Sequence, residues 1–257
     1  MPDVYNQFSP EHGAAPGSWP RVETAYTRNV VLDLLRKSFP RSGTILALGD
    51  TGDFHASFLS AEGFHVVKAG VNPAEPRLYR GHTGGFDRII SAEEHLDCIK
   101  DRCIDGILAG KGWLNSFRNI QPALYHAYRV LKENGVYVLL LRNRFSISER
   151  LAYIRRRQFR RAFQRARKNS VFIPGDDDRL LSWHHSLRSV KRAARGLFTI
   201  QSVVGLNIIT PPPSFHHSYR THPRLIGAAA IVEARIRSFP LLSVLGDHIV
   251  IVLERFE

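Results

Sequence analysis

Four consecutive residues, Gly49 to Gly52 (GDTG), have the composition of a ligand-binding turn. They follow an apolar run from Thr44 to Leu48 and precede an apolar-periodic segment from Phe54 to Leu59, which predicts a strand, a turn and a helix. Glycine lets the backbone approach a ligand closely, and the first turn of a helix carries N–H groups without partners. The combination predicts a binding site for a polar group at this turn.

A second polar position follows the next predicted strand. The apolar run from Phe64 to Val71 ends at Asn72-Pro73, so the segment has the order of a βαβ unit. A polar side chain beyond the second strand of such a unit is placed to bind ribose hydroxyls. An ordinary βαβ unit with turn glycines and no ligand is the alternative, and the glycines alone leave both interpretations open.

A third group of polar residues follows the short apolar strand Phe86 to Ile90. Ser91, Ala92, Glu93 and His95 come directly after it. Ligands collect outside the carboxyl ends of strands in doubly wound sheets, so these residues are candidates for the same site. His95 has the chemistry of a proton acceptor near pH 7, and packing or capping a helix is its alternative role.

The order of these parts resembles the class I S-adenosylmethionine-dependent methyltransferases. In that family a first strand with its glycine turn holds the cofactor, an acid after the second strand holds the ribose, and a strand that begins FDxI and leads to EHL follows. Phe86 to Leu96 (FDRIISAEEHL) is similar to that strand, and Arg129 to Gly135 (RVLKENG) is similar to the RVLKxGG turn of the family. The resemblance covers Val22 to Arg144, and beyond that only the ending of the chain.

The resemblance implies S-adenosylmethionine as the cofactor and methyl transfer to an acceptor. It assigns cofactor binding to residues in and after the first three predicted strands: Ala47, Gly49, Asp50, Thr51, Gly52, Asn72, Ser91, Ala92 and Glu93. It gives the role of catalytic base to His95, with His184 as a second candidate. The acceptor it implies is a small molecule, a lipid-like molecule or a glycan.

The chain departs from the family pattern at several positions. Ala47 stands where the family has an acid, Asn72 replaces the acidic ribose ligand, and Asn134 replaces the first glycine of the final GG pair. The thirteen residues between Asn72 and Phe86 are too few for the helix and third strand that many members have there. A non-catalytic binding or scaffold protein on the same fold is therefore the alternative hypothesis.

Composition predicts a globular α/β protein. The chain has 257 residues, 44% of them hydrophobic, which is enough for one sizeable core. Together with the resemblance this predicts a doubly wound, mostly parallel, Rossmann-like methyltransferase sheet with an antiparallel last strand. The expected organisation is a flexible N-terminal arm over residues 1–20 and a single domain over residues 21–257, with a basic helical insertion at 145–180.

Location and metal content are also predicted from the sequence. Its apolar runs are shorter than a membrane span of about 20 residues, and its first residues lack the pattern of a secretory signal, so a cytoplasmic location is expected. Cys98 and Cys103 are too few for a disulfide framework or a four-thiolate zinc site. The clustered histidines lack carboxylate or thiolate partners at regular spacing, so no metal is expected.

The positive charge is concentrated in one segment. Arg142 to Lys168 contains eleven Arg or Lys and the single acid Glu149, which is +10 of the formal +13. Apolar residues recur through it at helical spacing, which predicts a basic amphipathic helix. A solvated face, an anionic membrane surface and RNA are the alternatives for its surroundings, and peripheral membrane association is one expectation. The arginines expected to bind are Arg155, Arg156, Arg157, Arg160 and Arg161.

Overall fold

A seven-stranded sheet organises the part of the chain that the computed structural model describes, residues 22–49, 52–70, 87–90, 96–110, 112–166, 183–211 and 223–256. Its strands are β1 (Thr44–Leu48), β2 (His65–Gly70), β3 (Asp87–Ile90), β4 (Ile104–Ala109), β5 (Leu131–Arg142), β6 (Phe198–Leu206) and β7 (His248–Arg255). The order across the sheet is β3-β2-β1-β4-β5-β7-β6. Strands β1 to β5 are parallel, and β7 runs antiparallel between β5 and β6, as the predicted fold class requires.

Helices cover both faces of the sheet. They are α1 (Val22–Ser38), α2 (Gly52–Ala61), α3 (Gln121–Val130), α4 (Ile147–Arg155), α5 (Phe159–Ala162), α6 (Leu187–Ala193), α7 (Pro223–Ile236) and α8 (Pro240–Ser243). Short 3₁₀ turns lie at Leu114–Ser116 and Gln164–Ala166. Within the described ranges, no helix combines the length and the apolar character that a membrane span requires.

Two apolar cores separate the sheet from its helices. Alternate residues of β5 point to opposite faces, so Leu139 packs in one core and Val138 in the other. The core that contains Val138 also contains Leu35 of α1 and Leu59 of α2, whereas the core that contains Leu139 includes Leu124 of α3. The central strands are apolar on both faces because both are covered, which is why they are continuous apolar runs in the sequence.

The structure corrects the prediction for the third strand. Thirteen residues after Asn72 were judged too few to leave room for it, yet β3 is present and pairs in parallel with β2 at the sheet edge. The FDRII segment is therefore the edge strand beyond β2, and it is β4 that pairs with the other side of β1. Sequence spacing did not reveal this order, because pairing partners depend on the crossover and not on chain proximity.

The predicted basic helix is broken into pieces. Helix α4 ends at Arg155, Arg157 has a positive φ of 58°, and α5 begins at Phe159. A non-glycine residue in the left-handed region interrupts helical hydrogen bonding, so one long helix does not form. The predicted arm at 1–20 and the last part of the predicted insertion, 167–180, lie outside the described residues.

The turn before the main part of β5 explains one departure from the family motif. Asn134, which stands where the family has glycine, has a φ of 58°. Asparagine tolerates this left-handed conformation better than most residues, so it substitutes for glycine here. Helix α3 ends at Val130, earlier than the expected stop at Gly135, and residues from Leu131 onward belong to β5.

A buried carboxylate on α7 holds the chain that leaves β6. Glu233 is fully buried, and its Oε1 accepts the Asn207 N–H at 2.7 Å. Its Oε2 accepts the Ile209 N–H at 3.1 Å, and the Thr210 N–H at 3.0 Å and hydroxyl at 2.8 Å. One side chain therefore satisfies the backbone of residues 207–210 and fixes α7 against the end of β6.

The substitution Glu233→Gln should destabilise the protein. The amide would place an N–H₂ group against backbone donors and lose the charge-assisted bonds, a cost of about 2–3 kcal/mol in the free energy of unfolding. Urea denaturation monitored by circular dichroism measures it. The matched control is Glu62→Gln, which breaks an exposed pair with Arg36 at 2.9 Å and should cost less than about 1 kcal/mol. Equal losses in both variants would contradict the role given to Glu233.

Candidate functional site

The sheet has a switch point between β1 and β4. The chain runs from β1 outward to β2 and β3, and then crosses to β4 on the other side of β1. Ligands of open parallel sheets bind in the crevice outside the carboxyl ends of the strands at such a point. Gly49 follows β1 and Gly110 follows β4, and the Gly110 N–H donates to the Leu48 carbonyl at 2.8 Å. Both lips of the crevice are therefore backbone without side chains.

Gly49 has a conformation that only glycine adopts easily. Its φ is 67°, and its N–H donates to the Ala69 carbonyl at 2.9 Å, which ties the turn to β2. Helix α2 begins at Gly52, so its first N–H groups lie close to the end of β1. The N-terminus of a helix favours a carboxylate or another anionic group through its unpaired donors and its dipole.

Trp113 forms one wall of the crevice. It is 4% exposed, and its ring contacts Phe117 edge to face with the ring centroids 5.2 Å apart. A Cβ built on Gly49 would lie 3.1 Å from Trp113 Cβ and 3.2 Å from its Cε3. Gly49 itself remains partly exposed, so the tryptophan closes one side of the turn and leaves another open. The signal in the sequence was the GKGW loop after β4, whose role as a crevice wall was not predicted.

The predicted cofactor residues divide into described and undescribed ones. Ala47 lies inside β1 and is fully buried in the core shared with α1 and α2. Gly49 and Gly52 stand at the strand end and the helix start, as predicted. The other predicted positions lie outside the described residues: Asp50, Thr51, Asn72, Ser91, Ala92, Glu93 and His95. Among the described residues, no group of His, Cys, Asp and Glu is arranged to hold a metal ion.

A second polar group lies at the carboxyl end of β5. Asn115 accepts the Arg142 N–H at 2.9 Å through Oδ1, and its Nδ2 donates to the Arg142 carbonyl at 3.1 Å. The same Nδ2 donates to the Trp183 carbonyl at 2.6 Å. Asn115 therefore takes the place of a strand partner and joins the end of β5 to residue 183.

Asn143 continues this polar layer. It is 1% exposed, and its Nδ2 donates to the carbonyls of Phe145 at 2.7 Å, Val244 at 2.7 Å and Gly246 at 2.8 Å. Its side chain thus fixes the chain before β7 against the exit of β5. Neither Asn115 nor Asn143 was a predicted site residue, because single asparagines in the sequence do not show which distant carbonyls they will meet.

A buried ion cluster lies next to Asn143. The Arg165 guanidinium pairs with Glu149 of α4 and, at 2.7 Å, with Asp247 at the start of β7. It also donates to the Asn143 carbonyl at 3.2 Å. Asp247 contacts His248 Nδ1 at 2.8 Å. All four charged or titratable side chains are nearly inaccessible, so each charge depends on its partner.

Burial acts on the pKa of both acids in this cluster. It raises the pKa of Glu149, and the nearby charge of Arg165 offsets this only in part. Burial also acts to raise the pKa of Asp247, but Arg165 and His248 together outweigh it and hold that pKa well below its usual value. Asp247 is therefore the ionised partner of Arg165 over the whole physiological range.

Two adjacent histidines stand beside the cluster. Burial, reinforced by the charges of Arg165 and Arg142, lowers the pKa of His184 to about 3. Burial also lowers the pKa of His185, whose Nε2 lies 2.9 Å from the Phe117 carbonyl. Within the described part of the chain, neither ring nitrogen of His184 has a hydrogen-bond partner. His184 is therefore a neutral imidazole at physiological pH.

Comparisons with known proteins identify the architecture. No protein-family model and no curated protein sequence matches the chain significantly. Among solved structures, an S-adenosylmethionine-dependent methyltransferase from Methanosarcina mazei is similar with a TM-score of 0.55 and 14% identity, over 87% of this chain and 97% of that one. One from Mesorhizobium loti has a TM-score of 0.53 and 12% identity, over 87% and 96%.

A third similar structure contains ligands. It is the geranyl diphosphate C-methyltransferase from Streptomyces coelicolor in complex with Mg²⁺, geranyl diphosphate and S-adenosyl-L-homocysteine. It has a TM-score of 0.53 and 15% identity, over 99% of this chain and 90% of that one. Similarity at these identities defines architecture and not activity. The chain has the Rossmann-like fold of the class I S-adenosylmethionine-dependent methyltransferases.

Proposed function

We propose that this protein is an S-adenosylmethionine-dependent methyltransferase that acts on a small-molecule, lipid-like or glycan acceptor. The crevice at the switch point carries the proposal, because β1 and β4 both end in glycine there and α2 begins directly beside it. The similarity of nearly the whole chain to solved methyltransferases supports the same conclusion. The retained left-handed turn at Gly49 supports it further.

The described part of the crevice fits this cofactor. Gly49 and Gly52 leave the turn without side chains, so the methionine end of the cofactor has access to the backbone. The N-terminus of α2 suits its carboxylate. We assign the rest of the site to the predicted residues: Asp50 and Thr51 beside the methionine, Asn72 at the ribose, and Ser91, Ala92 and Glu93 on the adenine or methionine side. Ala47 contributes as the buried strand residue that positions Gly49.

The reaction places modest demands on the protein. The bound cofactor supplies a methyl group that its sulfonium has already activated. The chain must hold the nucleophilic atom of the acceptor in line with that methyl group and exclude water, an alignment worth about 7–11 kcal/mol at best. His95 is the proposed base for an acceptor that loses a proton. His184 does not suit that role, because a group with a pKa of about 3 holds a proton poorly at neutral pH.

The surface near the end of β6 supports an apolar acceptor. Helix α7 follows this strand and exposes Leu225 at 67%, Ile231 at 57% and Val232 at 46%. Exposed apolar side chains on a single helix are suited to a lipid-like molecule. This is the reason for including lipid-like acceptors in the proposal.

Binding of S-adenosylmethionine tests the proposal without knowledge of the acceptor. Isothermal titration calorimetry should detect binding, and Gly49→Ala should weaken it by about tenfold or more, because the new Cβ would press on Trp113 in the crevice wall. The control is Gly63→Ala, which has a φ of 93° and has no neighbour within 4 Å of the new Cβ. Both variants should lose about 1–2 kcal/mol of stability through backbone strain.

The comparison of these two glycines separates the two functions under consideration. If the folded wild-type protein gives no heat and no thermal shift at millimolar cofactor, the methyltransferase proposal is wrong and the scaffold hypothesis is favoured. If Gly49→Ala binds as well as Gly63→Ala, the crevice at the end of β1 is not the cofactor site.

A neutral buried His184 predicts a pH dependence of stability. The folded pKa of about 3 lies below the usual 6.5, so the unfolded state binds the extra proton between these values and stability falls as the pH drops below 6.5. His184→Gln should remove about 1–2 kcal/mol of the stability loss between pH 7 and pH 5. Urea denaturation at both pH values measures the difference. His65→Gln, at an exposed position in β2, is the control, and an unchanged pH dependence in His184→Gln would show that His184 is protonated in the folded protein.

A further inference from the structure

Helix α4 has its apolar and polar faces reversed relative to an ordinary surface helix. Ser148 and Glu149 are buried, at 8% and 4% exposed. Ile147, Leu151 and Ile154, which recur at the spacing of one helical face, are exposed at 38%, 59% and 38%. A surface helix normally buries its apolar face, because this removes apolar area from water. The outward apolar stripe therefore calls for a partner.

Buried polar contacts enforce this orientation. The Ser148 hydroxyl donates to the Asn207 carbonyl at 2.8 Å, and Glu149 pairs with the buried Arg165. The Ile147 N–H also donates to the Leu245 carbonyl at 3.0 Å. Rotation of α4 to bury its apolar stripe would break the Glu149 ion pair and leave buried charges without partners, which is costly. The stripe is thus held outward by the protein itself.

The apolar surface extends beyond α4. Phe145 before the helix, Phe159 of α5 and Phe163 after it are exposed at 41%, 59% and 49%. The Arg150 guanidinium lies 5.4 Å from the ring centroid of Phe145 and 5.6 Å from that of Phe163, so these two rings flank one arginine. A shallow groove of about 170 Å³ lies between Phe145, Ile147, Arg150 and residues 244–245. We call the exposed set the apolar-basic face: Phe145, Ile147, Arg150, Leu151, Ile154, Arg155, Arg156, Arg157, Phe159, Arg160, Arg161 and Phe163.

The charge of this face has a single sign. Arg155, Arg156, Arg157, Arg160 and Arg161 are all exposed. Glu149 is the one acid of residues 143–166, and it is buried against Arg165. The face therefore presents apolar side chains and positive charge together, without an exposed carboxylate of its own segment.

We propose that the apolar-basic face docks on the surface of an anionic lipid bilayer. A bilayer interface offers hydrocarbon to Leu151 and Phe159 and anionic headgroups to the arginines at the same depth, as amphipathic interfacial helices require. RNA would satisfy the arginines but leave the apolar stripe in water. A second copy of the chain would bring like charges together across a symmetric contact. The inference does not depend on methyl transfer.

Vesicle flotation tests this docking. The full chain should float with vesicles of phosphatidylcholine that contain phosphatidylglycerol, and binding should fall steeply with added salt and with pure phosphatidylcholine. Leu151→Ser should weaken binding about tenfold through lost apolar burial. The triple variant Arg155→Gln, Arg156→Gln, Arg160→Gln should lose about fivefold for each arginine removed.

Two matched variants control for general loss of charge or apolar surface. Arg188→Gln, Lys191→Gln, Arg192→Gln removes the same charge from exposed positions on α6, and Tyr125→Ser removes an exposed aromatic residue from α3. Both should keep wild-type vesicle binding, and circular dichroism should show that every variant is folded.

Three outcomes would overturn the proposal. One is equal vesicle binding by the face variants and their controls. Another is binding to RNA, but not to anionic vesicles, that the triple arginine variant abolishes. The third is a dimer in size-exclusion chromatography that Leu151→Ser dissociates, since it would assign the face to a second copy of the chain. Cofactor binding measured in the same variants should remain unchanged, so failure here is distinguishable from failure of the methyltransferase proposal.

Discussion

The buried ion cluster around Arg165 is the constraint on which the upper part of the molecule depends. One guanidinium joins α4 through Glu149, the start of β7 through Asp247 and the exit of β5 through the Asn143 carbonyl. Taking these charges out of water is costly, and removal of one member of such a cluster typically destabilises a protein by about 3–5 kcal/mol. The positions of three chain segments are therefore linked, and none can shift without leaving a buried charge uncompensated.

This link has consequences on two sides of the molecule. Toward the sheet, the cluster and the two asparagines, Asn115 and Asn143, hold the segments around the carboxyl end of β5 and keep His184 neutral. Toward solvent, it fixes α4 with its polar residues inside and its apolar stripe outside. The same interaction thus shapes the surroundings of the proposed acceptor site and prepares an outward surface. The crevice at Gly49 is independent of it, since strand order and a left-handed glycine define that crevice.

Local patterns predicted most elements of the fold. The first βαβ unit, the apolar β5 and the antiparallel β7 follow from apolar runs, glycine stops and the family resemblance, and the sheet confirms them. The order at the edge was not predicted, because the FDRII strand pairs with β2 through a crossover that chain spacing does not encode. The site was predicted in part: Gly49 and Gly52 stand where expected, whereas the Trp113 wall depends on a loop brought from β4.

The sequence by itself determined which segments are strands and helices, the glycine turn after the first strand, and the concentration of arginine between β5 and β6. These features depend on residue type and on spacing within a few turns of chain, where periodicity and backbone preference act. Only the tertiary structure decided the direction in which α4 faces, the neutral state of His184 and the contact of Trp113 with Gly49. Each of these depends on residues far apart in the chain, because burial and electrostatic pairing are set by what folding brings together and not by what is adjacent.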